Sequence, residues 1–208
     1  MTTLSDITTY RLIPVVVLHD SARADDLADA LVAGGLPVAE VTLRTPAAVE
    51  SIRAMAGRGD VAVGAGTVLT PEQVDLAVDA GASFIVCPGV RADVVTRAQD
   101  RGVAVVPGCV TASEVMAAQA LGLSTVKFFP AAQYGGPDTI AALSAPFQGV
   151  DFIPTGGVSS ENLADYLRLP SVPAVGGSWM VAPATQPDRD MTEVAGLCAA
   201  AVRAARAV

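Results

Sequence analysis

Eight short apolar runs recur along the chain roughly every 20–26 residues, the spacing of a strand, a helix and two short loops. The runs are Leu12–Leu18, Val38–Leu43, Val61–Ala65, Ser83–Cys87, Val103–Val106, Thr125–Phe128, Asp151–Pro154 and Val172–Val175. Eight strand–helix units in 208 residues predict an α/β fold of the (β/α)8 TIM-barrel type, with residues 1–208 in one compact domain. A doubly wound open sheet is the alternative, although such sheets usually hold fewer strands.

Residues typical of helix ends lie between these runs. Ser21 is the expected N-cap of a helix over Ala22–Ala33, and the sequence Thr70-Pro71-Glu72 predicts the start of another. Residues 159–161 (SSE) predict a further helix start, and the last helix is expected from about Asp190 to Ala205. These helices lie between consecutive predicted strands, as the (β/α)8 fold requires.

The composition excludes several classes of function. Net charge is -8 and basic residues do not cluster, so we expect no nucleic-acid partner and no membrane surface. The longest uncharged stretch, 169–187, contains four prolines and is not a membrane helix, and the amino terminus lacks a signal-peptide pattern. Three scattered cysteines indicate reduced thiols in the cytoplasm, and one histidine leaves no zinc-ligand spacing, so we expect no metal.

One basic residue stands apart from the others. Of the 13 Lys and Arg residues twelve are Arg, and the single lysine, Lys127, lies inside an apolar strand. Lysine differs from arginine because its amine loses a proton when desolvated and then acts as a nucleophile. A neutral amine attacks a ketone and forms an imine, so Lys127 is the predicted nucleophile.

Three more polar residues are expected to meet Lys127 at the carboxyl ends of the strands, where barrel active sites lie. Strand alternation places Glu40 and Arg44 on the inward face of the second strand, and Thr67 ends the third. Glu40 is suited to proton transfer, Arg44 to holding a carboxylate, and Thr67 to adding a hydroxyl. The alternative is a purely structural ion pair between Lys127 and Glu40.

Glycine pairs follow the last two predicted strands. Thr155, Gly156 and Gly157 come after the seventh, and Gly177 and Ser178 come after the eighth. Exposed backbone N–H groups in these two loops often hold phosphate in barrels. The pairs therefore predict a phosphate site beside the polar cluster.

Six short motifs resemble one family, the 2-keto-3-deoxy-6-phosphogluconate (KDPG) aldolases, some of which also cleave 4-hydroxy-2-oxoglutarate. The motifs are residues 40–46 (EVTLRTP), 63–69 (VGAGTVL), 107–108 (PG), 127–131 (KFFPA), 154–157 (PTGG) and 176–179 (GGSW). The resemblance implies a class I aldolase without a cofactor, a homotrimer of (β/α)8 subunits.

The resemblance also implies roles for individual residues. Lys127 would form the Schiff base and Glu40 would be the general acid and base. The implied substrate contacts are Arg44 and Thr67 at the pyruvyl carboxylate, Pro88 and Phe129 along the pocket, and Thr155, Gly156, Gly157, Gly177, Ser178 and Arg11 toward the phosphate.

The expected reaction, a step of the Entner–Doudoroff pathway, is cleavage of KDPG to pyruvate and D-glyceraldehyde 3-phosphate. The alternatives are aldolases for 4-hydroxy-2-oxoglutarate or for the galactonate-derived C4 epimer of KDPG, and a non-catalytic phosphate-binding barrel. For His19 a capping or loop role is favoured, and for Cys87 and Cys109 packing in the core.

Overall fold

The structure is a computed structural model that describes residues 3–186 and 190–208. The strands are β1 (Leu12–Val16), β2 (Val38–Thr42), β3 (Ala62–Gly66), β4 (Phe84–Val86), β5 (Ala104–Val106), β6 (Thr125–Phe128), β7 (Asp151–Pro154) and β8 (Val175–Gly177). The helices are α1 (Leu4–Thr8), α2 (Ala24–Ala33), α3 (Ala48–Arg58), α4 (Pro71–Asp79), α5 (Ala92–Asp100), α6 (Ala112–Ala120), α7 (Gly136–Ser144), α8 (Leu163–Leu167) and α9 (Met191–Arg206). Short 3₁₀ turns span Ser21–Arg23, Ala132–Tyr134 and Trp179–Thr185.

The strands are parallel and follow one another around a barrel. Six form a sheet in the order β5-β4-β3-β2-β1-β8, and β6 pairs with β7. Two parallel bridges, Gly108 with Lys127 and Thr155 with Gly176, join the two sheets on both sides. Strands that are consecutive in the sequence are neighbours in space, and β8 lies beside β1, so the strands close into a barrel. The predicted (β/α)8 fold is therefore confirmed, and the open-sheet alternative is wrong.

Local sequence explains where several helices begin. The Thr70 hydroxyl accepts from the Gln73 N–H, and Pro71 takes the first helical position of α4, as predicted. A capping box between Thr111 and Glu114 starts α6. Each cap satisfies backbone donors that the first helical turn leaves unpaired.

The amino end of the barrel is closed by apolar side chains. The short helix α1 places Ile7 there, and only 1% of its surface is exposed. A narrow interior space extends from Ile7 toward Lys127. Its apolar lining consists of Leu4, Ile7, Ile13, Phe84, Val86, Val106 and Ile153, and Glu40, Thr155 and Gly176 line its other end. The polar groups therefore lie on the carboxyl side of a largely apolar core. Among the described residues, no helix is both long and apolar enough to cross a membrane.

The eighth strand lies later in the chain than predicted. It spans Val175–Gly177 instead of Val172–Val175. Pairing with β1 begins where the Val175 N–H donates to the Arg11 carbonyl at 3.0 Å. Pro173, in the predicted strand, has no N–H that could donate a hydrogen bond to a neighbouring strand. The predicted loop after this strand therefore starts two residues later, at Ser178, since Gly176 and Gly177 both belong to β8.

The first barrel helix also begins differently from the prediction. Asp20, not Ser21, provides the cap, because its carboxylate accepts the Ala22 N–H at 3.0 Å. A 3₁₀ turn over Ser21–Arg23 then leads into α2. At the other end of the chain the prediction holds, since Asp190 caps α9 by accepting the N–H of Thr192.

The predicted helix start at 159–161 is four residues too early. The Ser159 N–H donates to the Asn162 side chain at 2.9 Å, and the Ser159 hydroxyl accepts the Glu161 N–H at 3.3 Å. These local side-chain bonds favour a turn over a helix. Helix α8 therefore begins at Leu163 and is only five residues long.

Arg11 does not lie where the family resemblance placed it. It directly precedes β1, at the amino end of the barrel, opposite the predicted phosphate loops. Its guanidinium donates to the Leu167 carbonyl at 2.8 Å and to the Ala205 carbonyl at 3.0 Å, in the last turns of α8 and α9. Cations stabilise helix carboxyl ends, so the contacts give Arg11 a structural role.

Replacing Arg11 by Ala is expected to lower the free energy of unfolding by about 1–3 kcal/mol, because two buried carbonyls lose a charged donor. Equilibrium urea unfolding measures this. Arg168→Ala is the matched control, since its pair with Asp165 is exposed and is worth at most about 0.5 kcal/mol. If Arg11→Ala leaves the free energy of unfolding unchanged and weakens the binding of a phosphorylated substrate, the structural role is contradicted and a role in phosphate binding is supported.

Candidate active site

The centre of the site is a buried ion pair between β2 and β6. The Lys127 Nζ lies 3.1 Å from Glu40 Oε1 and 3.5 Å from Oε2. Only 4% of Lys127 and 2% of Glu40 are exposed. Strand alternation turns both side chains into the barrel, as the sequence predicted.

Phe129 covers another side of the amine. It follows β6 directly, and its ring centroid lies 5.2 Å from Lys127 Nζ, within the range of a cation–π contact. Phe129 is half-buried, whereas Lys127 is buried. The aromatic ring therefore contacts the amine at the carboxyl end of β6 and is itself partly open to solvent.

Arg44 and Thr67 meet at the carboxyl ends of β2 and β3. The Arg44 Nε donates to Thr67 Oγ1 at 3.0 Å. Thr67 has a φ of 58°, a left-handed conformation that is rare for β-branched residues and that often marks functional sites. Arg44 is exposed, so its guanidinium is accessible to an anion from solution. The predicted carboxylate-binding pair is thus assembled at the expected edge.

The loop after β7 adopts a conformation that requires glycine. Gly156 and Gly157 have φ angles of 96° and 75°, which side chains rarely tolerate. Thr155, which precedes them, is buried, and its hydroxyl occupies space that a Cβ on Gly176 would take, at 2.3 Å. Glycines at these positions therefore shape the loop and place Thr155 beside the interior space.

The remaining predicted contacts also lie at the carboxyl ends. Ser178 is exposed and follows β8, and Pro88 is exposed and follows β4. A Cβ on Gly108 would lie 2.1 Å from the Pro88 carbonyl, so Gly108 permits the close approach of these two loops. Gly177 is a strand residue, and a Cβ there would overlap the Trp179 ring at 1.8 Å. Its glycine requirement is therefore explained by packing.

The cysteine thiols are core groups. Cys87, Cys109 and Cys198 are buried, and burial raises the pKa of each thiol to about 12. Near neutral pH they are protonated and weak nucleophiles. The packing role predicted for Cys87 and Cys109 agrees with this environment.

His19 lies apart from the ion pair. It is exposed after β1 and borders a different pocket, together with Asp20, Arg23, Ala184 and Thr185. Within residues 3–186 and 190–208, no three His, Cys, Asp or Glu side chains are placed to share a metal ion.

Gly66 is not among the residues predicted from the sequence, but it lies against Glu40. A Cβ at this position would be 2.2 Å from Glu40 Oε1. Alternation along β3 identifies Gly64 and Gly66 as inward-facing, although the residue that fills each space is not evident from sequence.

Known proteins resemble the chain over most of its length. The family model for KDPG and KHG aldolase, where KHG is 4-hydroxy-2-oxoglutarate, matches residues 4–197. The 2-dehydro-3-deoxy-phosphogluconate aldolase of Zymomonas mobilis is 46% identical over 177 residues, 85% of both chains. The KHG/KDPG aldolase of Escherichia coli is 45% identical over 178 residues, 85% of this chain and 84% of that one.

A solved structure adds a chemical observation. The KDPG aldolase of Legionella pneumophila, with pyruvate captured at low pH as a covalent carbinolamine intermediate, is 39% identical and superposes with a TM-score of 0.92. The match covers 96% of this chain and 98% of that one.

Proposed function

Because the chain belongs to the KDPG and KHG aldolase family, we propose that it is a class I aldolase that cleaves KDPG to pyruvate and D-glyceraldehyde 3-phosphate. The observation that carries the proposal is the buried amine of Lys127, 3.1 Å from the Glu40 carboxylate. The carbinolamine captured in the Legionella relative supports a reaction through an amine of the protein, which needs no cofactor.

The first step joins substrate to protein. Glu40 accepts a proton from Lys127, and the neutral Nζ then attacks the C2 ketone to form a carbinolamine. Glu40 returns the proton to the carbinolamine hydroxyl, water leaves, and a protonated Schiff base remains. The distance of 3.1 Å between Nζ and Oε1 is short enough for direct proton transfer.

The second step breaks the C3–C4 bond. Glu40, directly or through a water, removes the proton of the C4 hydroxyl while the bonding electrons move into the Schiff base and give an enamine. D-glyceraldehyde 3-phosphate leaves as the aldehyde. The enamine is protonated at C3, and water hydrolyses the imine to release pyruvate and the free amine.

Groups around the pair hold the two ends of the substrate. Arg44 and Thr67 would bind the carboxylate next to the ketone, because a guanidinium and a hydroxyl meet there at one strand edge. Gly156, Gly157 and Ser178 would take the phosphate, while Phe129 and Pro88 line the space between. Thr155 would contact the middle of the chain. Gly177, which ends β8 beside Ser178, would offer its backbone to the phosphate end of the substrate. Arg11 would not contact the substrate, because it lies at the amino end of the barrel.

The proposed enzyme is a homotrimer in the cytoplasm. Large apolar side chains that are well exposed on one copy include Leu69 at 45%, Leu76 at 55% and Met116 at 61%, and a subunit contact would cover such groups. The three free cysteines fit a reducing compartment.

Substrate cleavage tests the function directly. The wild-type chain is expected to release pyruvate from KDPG in a coupled assay, and Lys127→Arg is expected to abolish turnover, because a guanidinium keeps the charge but forms no Schiff base. Lys127→Arg with normal activity would contradict the mechanism and support a non-catalytic barrel.

Parallel assays identify the preferred substrate. We expect KDPG to exceed 4-hydroxy-2-oxoglutarate in kcat/KM, because the loops after β7 and β8 favour a phosphate. We expect it to exceed its C4 epimer because the relatives that are 45–46% identical are named for the gluconate-derived substrate. A faster reaction with the epimer or with the unphosphorylated substrate would assign one of the alternative aldolase activities.

The oligomeric state is measured by sedimentation equilibrium. A trimer is expected, with a mass three times that of the 21.0 kDa chain. A particle of 21.0 kDa at micromolar concentration would contradict it. A Leu76→Ser variant is expected to weaken assembly, because it removes one of the exposed apolar side chains that the contact would cover.

A further inference from the structure

Strand β3 carries two inward-facing glycines, and different side chains fill the space beside each. A Cβ on Gly64 would lie 2.2–2.4 Å from the Phe84 ring, and a Cβ on Gly66 would lie 2.2 Å from Glu40 Oε1. The residues that alternate with them along the strand, Val63 and Ala65, are buried on its other face. The inner face of β3 therefore carries no side chains at these two positions, and the backbone there is covered by the Phe84 ring and the Glu40 carboxylate.

The strand register explains why Glu40 lies against Gly66. Glu40 pairs with Gly64 across the β2–β3 ladder, whereas Gly66 pairs with Thr42, two residues nearer the carboxyl end. Phe84 also pairs with Gly64, from β4, and its ring fills the level of that glycine. The Glu40 side chain extends instead toward the level of Gly66, the end of the barrel where the substrate is proposed to bind.

We propose that Gly66 is a positioning residue that sets the location of the Glu40 carboxylate, an inference that rests on the proposed aldolase function. Any larger residue would place its Cβ 2.2 Å from Oε1, 2.6 Å from Cγ and 2.8 Å from Cδ of Glu40, closer than non-bonded atoms approach. The φ angle of Gly66 lies outside the left-handed region, so alanine fits its backbone. The need for glycine here is one of space alone.

A displaced carboxylate would no longer serve both of its proton transfers. To reach ordinary contact with an added methyl group, Oε1 has to move by about 1 Å, and a misplacement of about 1 Å can slow a reaction on the order of 100-fold. The atoms that move are mainly the end of one side chain, so the fold is expected to persist. Gly66 itself touches no substrate in this scheme and acts only through Glu40.

The first test is Gly66→Ala. We expect kcat for KDPG to fall about 100-fold with KM changed much less, and the limb of the pH–rate profile that depends on Glu40 to shift. Gly57→Ala is the matched control, because a Cβ there meets nothing within 4 Å and adds the same methyl group. A Gly66→Ala enzyme with wild-type kcat and pH profile would overturn the proposal.

A double variant shows whether the effect passes through Glu40. In a Glu40→Ala background the side-chain atoms that the new methyl would meet are gone, so adding Gly66→Ala is expected to change the residual rate less than about threefold. Equal losses in both backgrounds would show that Gly66 acts through the strand and would contradict positioning. If Gly66→Ala alone fails to fold, recovery of folding in the double variant supports the clash with Glu40, and failure of both overturns it.

Wild-type activity separates this inference from the proposed function. A wild-type chain that does not cleave KDPG contradicts the function. An active wild type whose activity Gly66→Ala leaves unchanged contradicts only the positioning of Glu40 by Gly66.

Discussion

The buried pair of Lys127 and Glu40 is the interaction on which the rest of the site depends. Removing two opposite charges from water costs free energy that their mutual attraction does not always repay, so such pairs are weak evidence for stability alone. Here the two side chains come from β2 and β6, strands of different sheets, and they meet only because the barrel closes. The fold thus holds an amine and a carboxylate at proton-transfer distance, and the proposed chemistry uses both.

Small residues provide the space that this arrangement requires. Gly64 admits the Phe84 ring, Gly66 admits the Glu40 carboxylate, and Gly176 admits the Thr155 hydroxyl. Below them the interior is apolar and is closed by α1. The polar side chains that line this interior space therefore lie on the carboxyl side of the barrel, where Arg44, Thr67 and the loops after β7 and β8 would add contacts for an anionic substrate.

The sequence predicted the features that depend on local periodicity. The repeat of apolar runs predicted eight parallel strands, and alternation within β2 and β6 correctly turned Glu40 and Lys127 toward each other. The predictions that were wrong depend on distant partners. Arg11 binds carbonyls 156 and 194 residues away, and the limits of β8 follow from its pairing with β1. The contact between Gly66 and Glu40 likewise follows from the strand register and from the Phe84 ring, which local patterns do not reveal.

The central claim, that Lys127 is the amine that forms a Schiff base, is tested most directly by trapping. The protein is incubated with pyruvate, reduced with borohydride, digested and mapped by mass spectrometry. The proposed mechanism predicts a reduced pyruvyl adduct on the peptide that contains Lys127, and no adduct when pyruvate is omitted or when Lys127 is replaced by Arg. An enzyme that cleaves KDPG while no adduct forms on Lys127 would contradict it.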